Sequence, residues 1–387
     1  MIETILLLNP VYVTLFWAVV LNFYNHKKYP PKAFLGKFMI VAFILYLSHF
    51  FYFTGQHQIY HYIDGFYILA SLLVYPMYHI YIRLLTSEQY FSLKKHGKYL
   101  AVPVVISVFY IIGALLMTTG QHEIFLKGSN LESQDAIAQY MQWVYYVARG
   151  IFVLQVFFYL YVNFRLIIVN NNQLQDYYSN TDDRRLQWVQ FFNISFAITS
   201  IASIAAAITG REAFASGVYS LAGPSIVFSS MLFFIGLLGN TQNTVHTQAE
   251  ETEPSIPEEP SQVPESDIKR QMEELFATQQ IFKNPDLKIW DLSKMLGTNR
   301  TYISRFINQE YNRNFCNHVN HYRVGFIKEV LRDNPAMSNE QIADISGFGS
   351  VSSLYRAFKN ADGISFSAFR KEHQQNGNNS KTNQVQE

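Results

Sequence analysis

Seven apolar stretches fill the first 240 residues, and they constrain the fold more than any other feature of the chain. Each is about 20 residues or longer, the length that a helix needs to cross about 30 Å of hydrocarbon. The stretches cover residues 5–24, 33–54, 62–84, 99–119, 141–164, 188–209 and 214–239. Core helices of soluble proteins rarely run that long. The pattern therefore predicts a seven-helix transmembrane bundle over residues 1–240.

Charge is spread unevenly along the chain. Only 24 of residues 1–240 are charged, whereas 27 of residues 266–374 are. This contrast excludes a single soluble globule, and it also excludes a wholly disordered chain. The first apolar stretch is expected to stay as an anchor, because Met1-Ile2-Glu3 has no basic residue and no small-residue cleavage site follows.

Lysine and arginine in the connections predict the orientation of the bundle. Alternate loops carry ten of them on one side and two on the other. Because cytoplasmic loops are enriched in Lys and Arg, the amino terminus is predicted to lie outside and the chain after residue 240 in the cytoplasm. The sequence thus predicts a multi-pass protein of the inner cell membrane.

Residues 241–265 have the composition of a spacer. They contain four Pro and six Glu but no Lys or Arg, so little apolar surface is available to bury. Residues 373–387 are rich in Gln and Asn and are expected to be disordered. The domain predicted between them covers residues 266–372. Its only cysteine, Cys316, is also the only one in the chain, which excludes an intramolecular disulfide and a cysteine-based zinc site.

The predicted cytoplasmic domain contains two similar helical hairpins. In the first, Leu292, Met295 and Leu296 are expected on one buried side, Gly297 in a tight turn, and Asn299 as the N-cap of the next helix. The second repeats this pattern around residues 338–359, with Ile342, Ile345, Phe348, Leu354 and Phe358 as its expected core. A single amphipathic helix, residues 315–332, is predicted between them. A short helix, a glycine turn and a second helix with a polar, basic edge is the helix-turn-helix pattern.

The exposed edges of the two second helices supply the candidate DNA-binding residues. They are Arg300, Thr301, Ser304, Arg305 and Asn308 in the first hairpin and Ser350, Ser352, Ser353, Arg356 and Lys359 in the second. Arg305 and Arg356, in the middle of these helices, are the strongest candidates, because Arg binds both guanine edges and phosphates. On composition alone, a helical bundle used for protein contacts is an equal alternative, since a net charge of +3 on residues 266–374 is a weak basic footprint.

One run of sequence makes the second hairpin specific. The run Ile342-Ala-Asp-Ile-Ser-Gly-Phe-Gly-Ser-Val-Ser-Ser-Leu-Tyr-Arg-Ala-Phe-Lys359, with Asn320-x-x-Arg323 before it and residues 363–370 after it, resembles the AraC/XylS family of transcription regulators. The resemblance implies two helix-turn-helix units joined by one helix, reading successive major grooves of double-stranded DNA. It implies base or phosphate contacts from Thr301, Ser304 and Arg305 and from Ser352, Ser353 and Arg356.

Two positions depart from the family pattern. Phe366 stands where the family usually has Pro, and Asn314 stands where it has Gly. Both changes are compatible with the fold, since Asn can adopt left-handed geometry where Gly would otherwise be needed.

Four polar residues in the apolar half are candidate sensor groups, because ionisable side chains inside a membrane are costly. Asp64 and Arg149 are expected at similar depth, so they either pair or Arg149 extends to the outer interface. His57, His61 and Asp64 align at i, i+4 and i+7 if the third helix begins early. Such a trio either ligates a metal or titrates near pH 6.5, or it forms a polar collar at the outer surface, which is the interpretation adopted. No metal site is predicted.

These observations predict an all-α, membrane-anchored one-component transcription regulator. The seven-helix bundle would sense a small molecule or an envelope signal, and the acidic spacer would connect it to a cytoplasmic DNA-binding domain. Pairing of two copies as a homodimer is one way to change the effective concentration of DNA-binding units. The alternatives are a bundle that only tethers the regulator and a transporter with a regulatory appendage. No catalytic motif is recognisable, and neither an enzyme nor a cofactor is predicted.

Overall fold

The computed structural model describes residues 2–23, 30–86, 90–126, 135–181, 187–209, 221–241 and 264–372. Every named element in these residues is a helix, which confirms the all-α class. Two compact units are formed: Met1–Ile168 with Leu186–Thr247, and Val169–Arg185 with Gln248–Glu387. Nearly all of the predicted spacer, residues 242–263, and the predicted tail, residues 373–387, lie outside the described residues.

Eight of the helices that the structure describes begin in the first unit. They are α1 (Ile2–Phe23), α2 (Pro30–Phe53), α3 (His57–Thr86), α4 (Leu93–Leu116), α5 (Thr119–Leu126), α6 (Ala136–Tyr177), α7 (Gln187–Thr209) and α8 (Ala222–Thr241). Among the described residues, six of them are long and apolar enough to cross a membrane, namely all except α5 and α7. The remaining predicted span, residues 188–209, lies within α7, and the count of seven stays a prediction.

Three features of this unit differ from the expected apolar stretches. Helix α3 begins at His57, because polar residues continue the helical turn beyond the apolar stretch. The short helix α5 was not predicted from the sequence. Helix α6 has 42 residues, so at 1.5 Å per residue it is about 63 Å long, roughly twice the thickness of the hydrocarbon layer.

Glycines in α8 allow close approach of its neighbours. A Cβ on Gly236 would collide with the ring of Trp17 in α1, and one on Gly239 would collide with Leu35 in α2 and with the hydroxyl of Tyr81 in α3. Close packing of small residues is a main source of helix association in lipid, where burial of apolar surface contributes little. Helix α8 is therefore packed directly against the start of the bundle.

The second unit contains the remaining helices. They are α9 (Glu265–Ala277), a 3-10 turn (Ile281–Lys283), α10 (Ile289–Met295), α11 (Arg300–Tyr311), α12 (Phe315–Asp333), α13 (Asn339–Ile345) and α14 (Val351–Asp362), and residues 366–372 are also helical. Helices α10 and α11 pack with α9 in one apolar core, and α13 and α14 form another. Helix α12 supplies Phe315 and Val319 to the first core and Ile327 and Leu331 to the second. It is therefore the connecting helix that the sequence predicted.

Two residues expected in these cores are instead exposed. Met295 is 52% exposed and Ile345 is 38% exposed. Both lie two residues before the glycine of their turn. The buried sides of α10 and α13 are centred on Leu292 and Ile342, and each short helix leaves the edge of its apolar stripe uncovered.

Candidate nucleic-acid interface

The second helix of each hairpin begins at a well-defined cap. The side chain of Asn299 accepts a hydrogen bond from the backbone N–H of Tyr302 at 2.8 Å, which confirms the predicted N-cap of α11. At the start of α14, the hydroxyl of Ser350 accepts one from the N–H of Ser353 at 3.1 Å. Because each cap satisfies a donor that the first turn leaves unpaired, it fixes the residue at which the helix starts.

The turns before these helices depend on glycine. Gly297 has a φ of +64° and Gly347 a φ of +79°, so both adopt the left-handed conformation that the sequence predicted for Gly297. A Cβ on Gly347 would lie 2.5 Å from the carbonyl oxygen of Lys283. The second turn is thus packed against the backbone of the 3-10 turn that precedes α10, whereas a Cβ on Gly297 would meet no atom within 4 Å.

Four of the five candidates on α11 are exposed. Arg300, Thr301, Arg305 and Asn308 face away from the core, and Ser304 is half-buried. The guanidinium of Arg305 lies 5.5 Å from the ring centroid of Tyr302. This contact supports the side chain on its own helix and leaves the planar donors of Arg305 at the surface.

On α14 the structure separates the candidates. Ser352, Arg356 and Lys359 are exposed and Ser350 is half-buried. Ser353 was expected outside, but it is buried, and its hydroxyl donates to the carbonyl oxygen of Ser350 at 2.7 Å. The expectation of an exposed Ser353 is wrong, because its position at the third residue of the helix recruits it into a capping box.

The two departures from the family pattern are accommodated differently. Phe366 is buried, with its ring centroid 5.3 Å from that of Phe358, so it adds an aromatic residue to the second core. Asn314 does not use the left-handed geometry that Asn allows: its φ is −77°, and its side chain caps α12 by accepting from the N–H of Asn317. The left-handed residue of this turn is Asn312, at φ +50°.

Arg323 is a buried cation whose role the sequence did not reveal. It is fully buried on α12, and its Nε donates to the carbonyl oxygen of Phe282 at 2.7 Å. One terminal nitrogen donates to the carbonyl oxygen of Asn284 at 2.9 Å. Burial lowers the pKa of Arg323 to about 10, so the guanidinium stays charged at neutral pH. The only signal in the sequence was its place in Asn320-x-x-Arg323.

A second arginine joins the end of the domain to its second hairpin. The guanidinium of Arg370 donates to the carbonyl oxygen of Met337 at 2.9 Å and to that of Pro335 at 3.1 Å. It also bonds to the side chain of Asn339. These contacts fix residues 366–372 against the start of α13.

In the first unit, a buried polar cluster forms around Asp64. Its carboxylate accepts from the hydroxyl of Tyr110 at 2.9 Å, and Nε2 of His122 lies 2.8 Å from the same oxygen. The rings of His61 and His122 are 4.4 Å apart. Among the described residues, the side chains that bond to the Asp64 carboxylate are thus Tyr110 and His122, and not Arg149 as in one of the two expectations. His122 lies on α5, and the sequence did not show that α5 would bring it to Asp64.

His57 and His61 do share the early start of α3 with Asp64. Within the described residues, no three His, Cys, Asp or Glu side chains are grouped as a metal site would require.

Comparison with known proteins gives one match, within the second unit. Residues 292–372 match the family model described as a helix-turn-helix domain. Comparison with curated proteins and with solved structures gives no match. The match covers both glycine turns, the connecting helix and the two capped helices described above. Residues 292–372 are therefore an AraC-type helix-turn-helix domain for DNA-binding transcription regulation, in a chain that also carries helices able to span a membrane.

Proposed function

We propose that the protein is a membrane-anchored one-component transcription regulator, with α11 and α14 as its two DNA-recognition helices. A single observation carries the proposal: capped helices that expose Arg305 and Arg356 belong to the same polypeptide as apolar helices of membrane-spanning length, six of them in the described part of the chain. A helix of this kind fits the major groove of double-stranded DNA. The regulator therefore acts on DNA while anchored in a lipid bilayer.

The contacts divide between the two recognition helices. Arg305 and Arg356 are the proposed base or phosphate contacts of highest weight, because a guanidinium offers two parallel donors. The remaining contacts are those of Arg300, Thr301, Ser304, Asn308, Ser350, Ser352 and Lys359. Ser353 is left out, because its hydroxyl already donates to the backbone within α14.

The proposed orientation places the DNA-binding domain in the cytoplasm and the amino terminus outside. The excess of Lys and Arg in alternate loops supports this orientation, and so does the need of the domain to reach chromosomal DNA. The same reasoning places the protein in the inner membrane.

We assign sensing to the membrane helices. The cluster of Asp64, Tyr110 and His122 supports this role, since a buried carboxylate in a transmembrane bundle is costly and commonly functional. A small molecule or an envelope signal bound there would change the bundle or its pairing with a second copy. Pairing would set the effective concentration of DNA-binding units on adjacent half-sites.

Genome-wide DNA occupancy of the tagged full-length protein tests the DNA-binding role. We expect discrete sites for the wild type and loss of these sites in Arg305→Ala and Arg356→Ala, since each well-made arginine contact is worth about 1–3 kcal/mol. Arg332→Ala is the matched control, because Arg332 is exposed on α12 outside both recognition helices. Absence of sites in the wild type would refute the proposal, as would equal loss in the control.

Replacement of residues 1–168 and 186–241 by unrelated membrane helices tests sensing, with residues 169–185 kept because they pack in the second unit. A sensor role predicts that transcription of the bound genes no longer responds to growth conditions. A response that survives the replacement would show that the bundle is a tether. The variant Asp64→Asn then separates the polar cluster from the rest of the bundle, because it removes the charge and keeps the shape of the side chain.

A further inference from the structure

Residues 175–181, at the end of α6, belong to the same compact unit as the DNA-binding domain. Helix α6 ends at Tyr177, and the chain then runs along the loop before α10. Tyr178 forms an isolated antiparallel bridge with Lys288, and the N–H of Ser179 donates to the carbonyl oxygen of Leu287 at 3.0 Å. Tyr178 and Ser179 are both buried. This segment, called the strap below, is therefore a packed part of the domain.

The strap supplies acceptors to the buried cation of the domain. One terminal nitrogen of Arg323 lies 3.3 Å from the carbonyl oxygen of Ser179, and the other lies 3.3 Å from its hydroxyl. The thiol of Cys316 also donates to that carbonyl oxygen, at 3.4 Å. The other acceptors of Arg323 come from the backbone of Phe282 and Asn284 and the side chain of Asn320. None of these groups carries a negative charge, so Ser179 provides a substantial share of the solvation of a buried guanidinium.

The strap contacts both helix-turn-helix units. The ring centroid of Tyr177 lies 5.9 Å from the guanidinium of Arg300, at the start of α11. The side chain of Asn180 lies so close to Gly349 that a Cβ at Gly349 would collide with it. Asn314, the cap of α12, donates from its side chain to Gln175 at 2.9 Å. The strap thus touches the first recognition helix, the connecting helix and the turn of the second helix-turn-helix unit.

We propose that the strap is the contact through which α6 controls the DNA-binding domain. Docked, it holds the two helix-turn-helix units in one relative position and engages Arg300, which lowers affinity for DNA. Helix α6 is continuous from Ala136 to Tyr177, so a shift along its axis or a rotation carries the strap with it. The surface around Arg323 fits an extended segment with a small hydroxyl-bearing residue at position 179. The inference rests on the proposed function for its regulatory part, whereas the docking itself does not.

A cross-link tests the docking. Because Cys316 is the only cysteine and its thiol donates to the backbone carbonyl oxygen of residue 179, the variant Ser179→Cys creates a single pair of cysteines at this contact. The full-length variant, with a protease site inserted in residues 242–263, is placed in lipid vesicles, oxidised with diamide and cleaved. Docking predicts that the two fragments stay joined on a non-reducing gel and separate after reduction. A short bismaleimide replaces diamide in a parallel sample, since a disulfide also needs favourable side-chain geometry.

Gln173→Cys is the matched control, because Gln173 is exposed on α6 only six residues away. We expect its fragments to separate under both treatments. Separation of the fragments of Ser179→Cys under both treatments would overturn the docking, and so would equal joining in the control.

DNA binding of the same vesicles tests the regulatory part. The probe is a pool of duplexes enriched on the wild-type protein from random sequence. We expect oxidised Ser179→Cys to bind this pool roughly tenfold more weakly than the reduced sample, the size of one arginine contact. Equal binding of the two samples would overturn the regulatory part. If the wild type enriches no duplex, the proposed function is overturned and the regulatory part with it. The cross-link decides the docking in either case.

Discussion

Replacing Gly347 by Ala tests whether the two helix-turn-helix units depend on close backbone packing. Gly347 has a φ of +79°, and a left-handed conformation costs a residue with a Cβ about 1–2 kcal/mol. The new Cβ would also lie 2.5 Å from the carbonyl oxygen of Lys283, 2.7 Å from its carbon and 2.8 Å from the carbonyl oxygen of Phe282. These are backbone atoms of the 3-10 turn, and Phe282 of that turn belongs to the core of α9, α10 and α11, so relief requires movement of this first core, at about 1–3 kcal/mol. The total is about 2–5 kcal/mol.

Gly297→Ala is the matched control, because Gly297 occupies the equivalent turn of the first helix-turn-helix unit. Its φ is +64°, but a Cβ there meets no atom within 4 Å. Only the conformational cost applies, about 1–2 kcal/mol. The control therefore separates the loss of stability caused by left-handed geometry from the loss caused by displacement of the backbone.

Hydrogen exchange of full-length protein in nanodiscs measures both variants through the amides of α11 and α14. We expect Gly347→Ala to lower protection in both helices and by more than Gly297→Ala. Equal losses in the two variants would refute the argument that Gly347 holds the units together. A loss of protection confined to α14 would likewise show that the first helix-turn-helix unit, which contains α11, is not displaced.

Two further predictions concern buried polar groups of the same domain. Burial lowers the pKa of His318 from 6.5 to about 3, so the unfolded chain binds a proton that the folded domain excludes. Stability is then complete above about pH 6.5 and falls by about 2 kcal/mol at pH 5, as urea titrations followed by hydrogen exchange would show. His318→Leu should remove this loss, and an unchanged pH dependence would contradict the assignment. Arg323→Met should cost at least about 2 kcal/mol in the same assay, because several carbonyl groups lose their donor. Arg332→Met, exposed on the same helix, should stay within about 0.5 kcal/mol, and similar losses for both would refute the role of the buried guanidinium.

Local sequence determined the helices and where several of them begin and end. Long apolar stretches predicted membrane-spanning helices because lipid offers the backbone no hydrogen-bond partner. Gly297 predicted a tight turn and Asn299 predicted a helix cap. Both predictions succeeded because a positive φ and a capping hydrogen bond involve only residues within four positions of each other. The apolar spacing of α12 predicted a connecting helix for the same reason. Each of these signals depends on neighbours in the chain.

Tertiary structure decided which polar groups face water and which pair across the fold. The hydroxyl of Ser353 serves a cap, Met295 is left at the surface, and His122 reaches Asp64 from a short helix. The guanidinium of Arg323 bonds to the hydroxyl of Ser179, which is 144 residues away in the sequence. No periodicity encodes such a pair, because its energy comes from desolvation and geometry that exist only after distant segments have packed together.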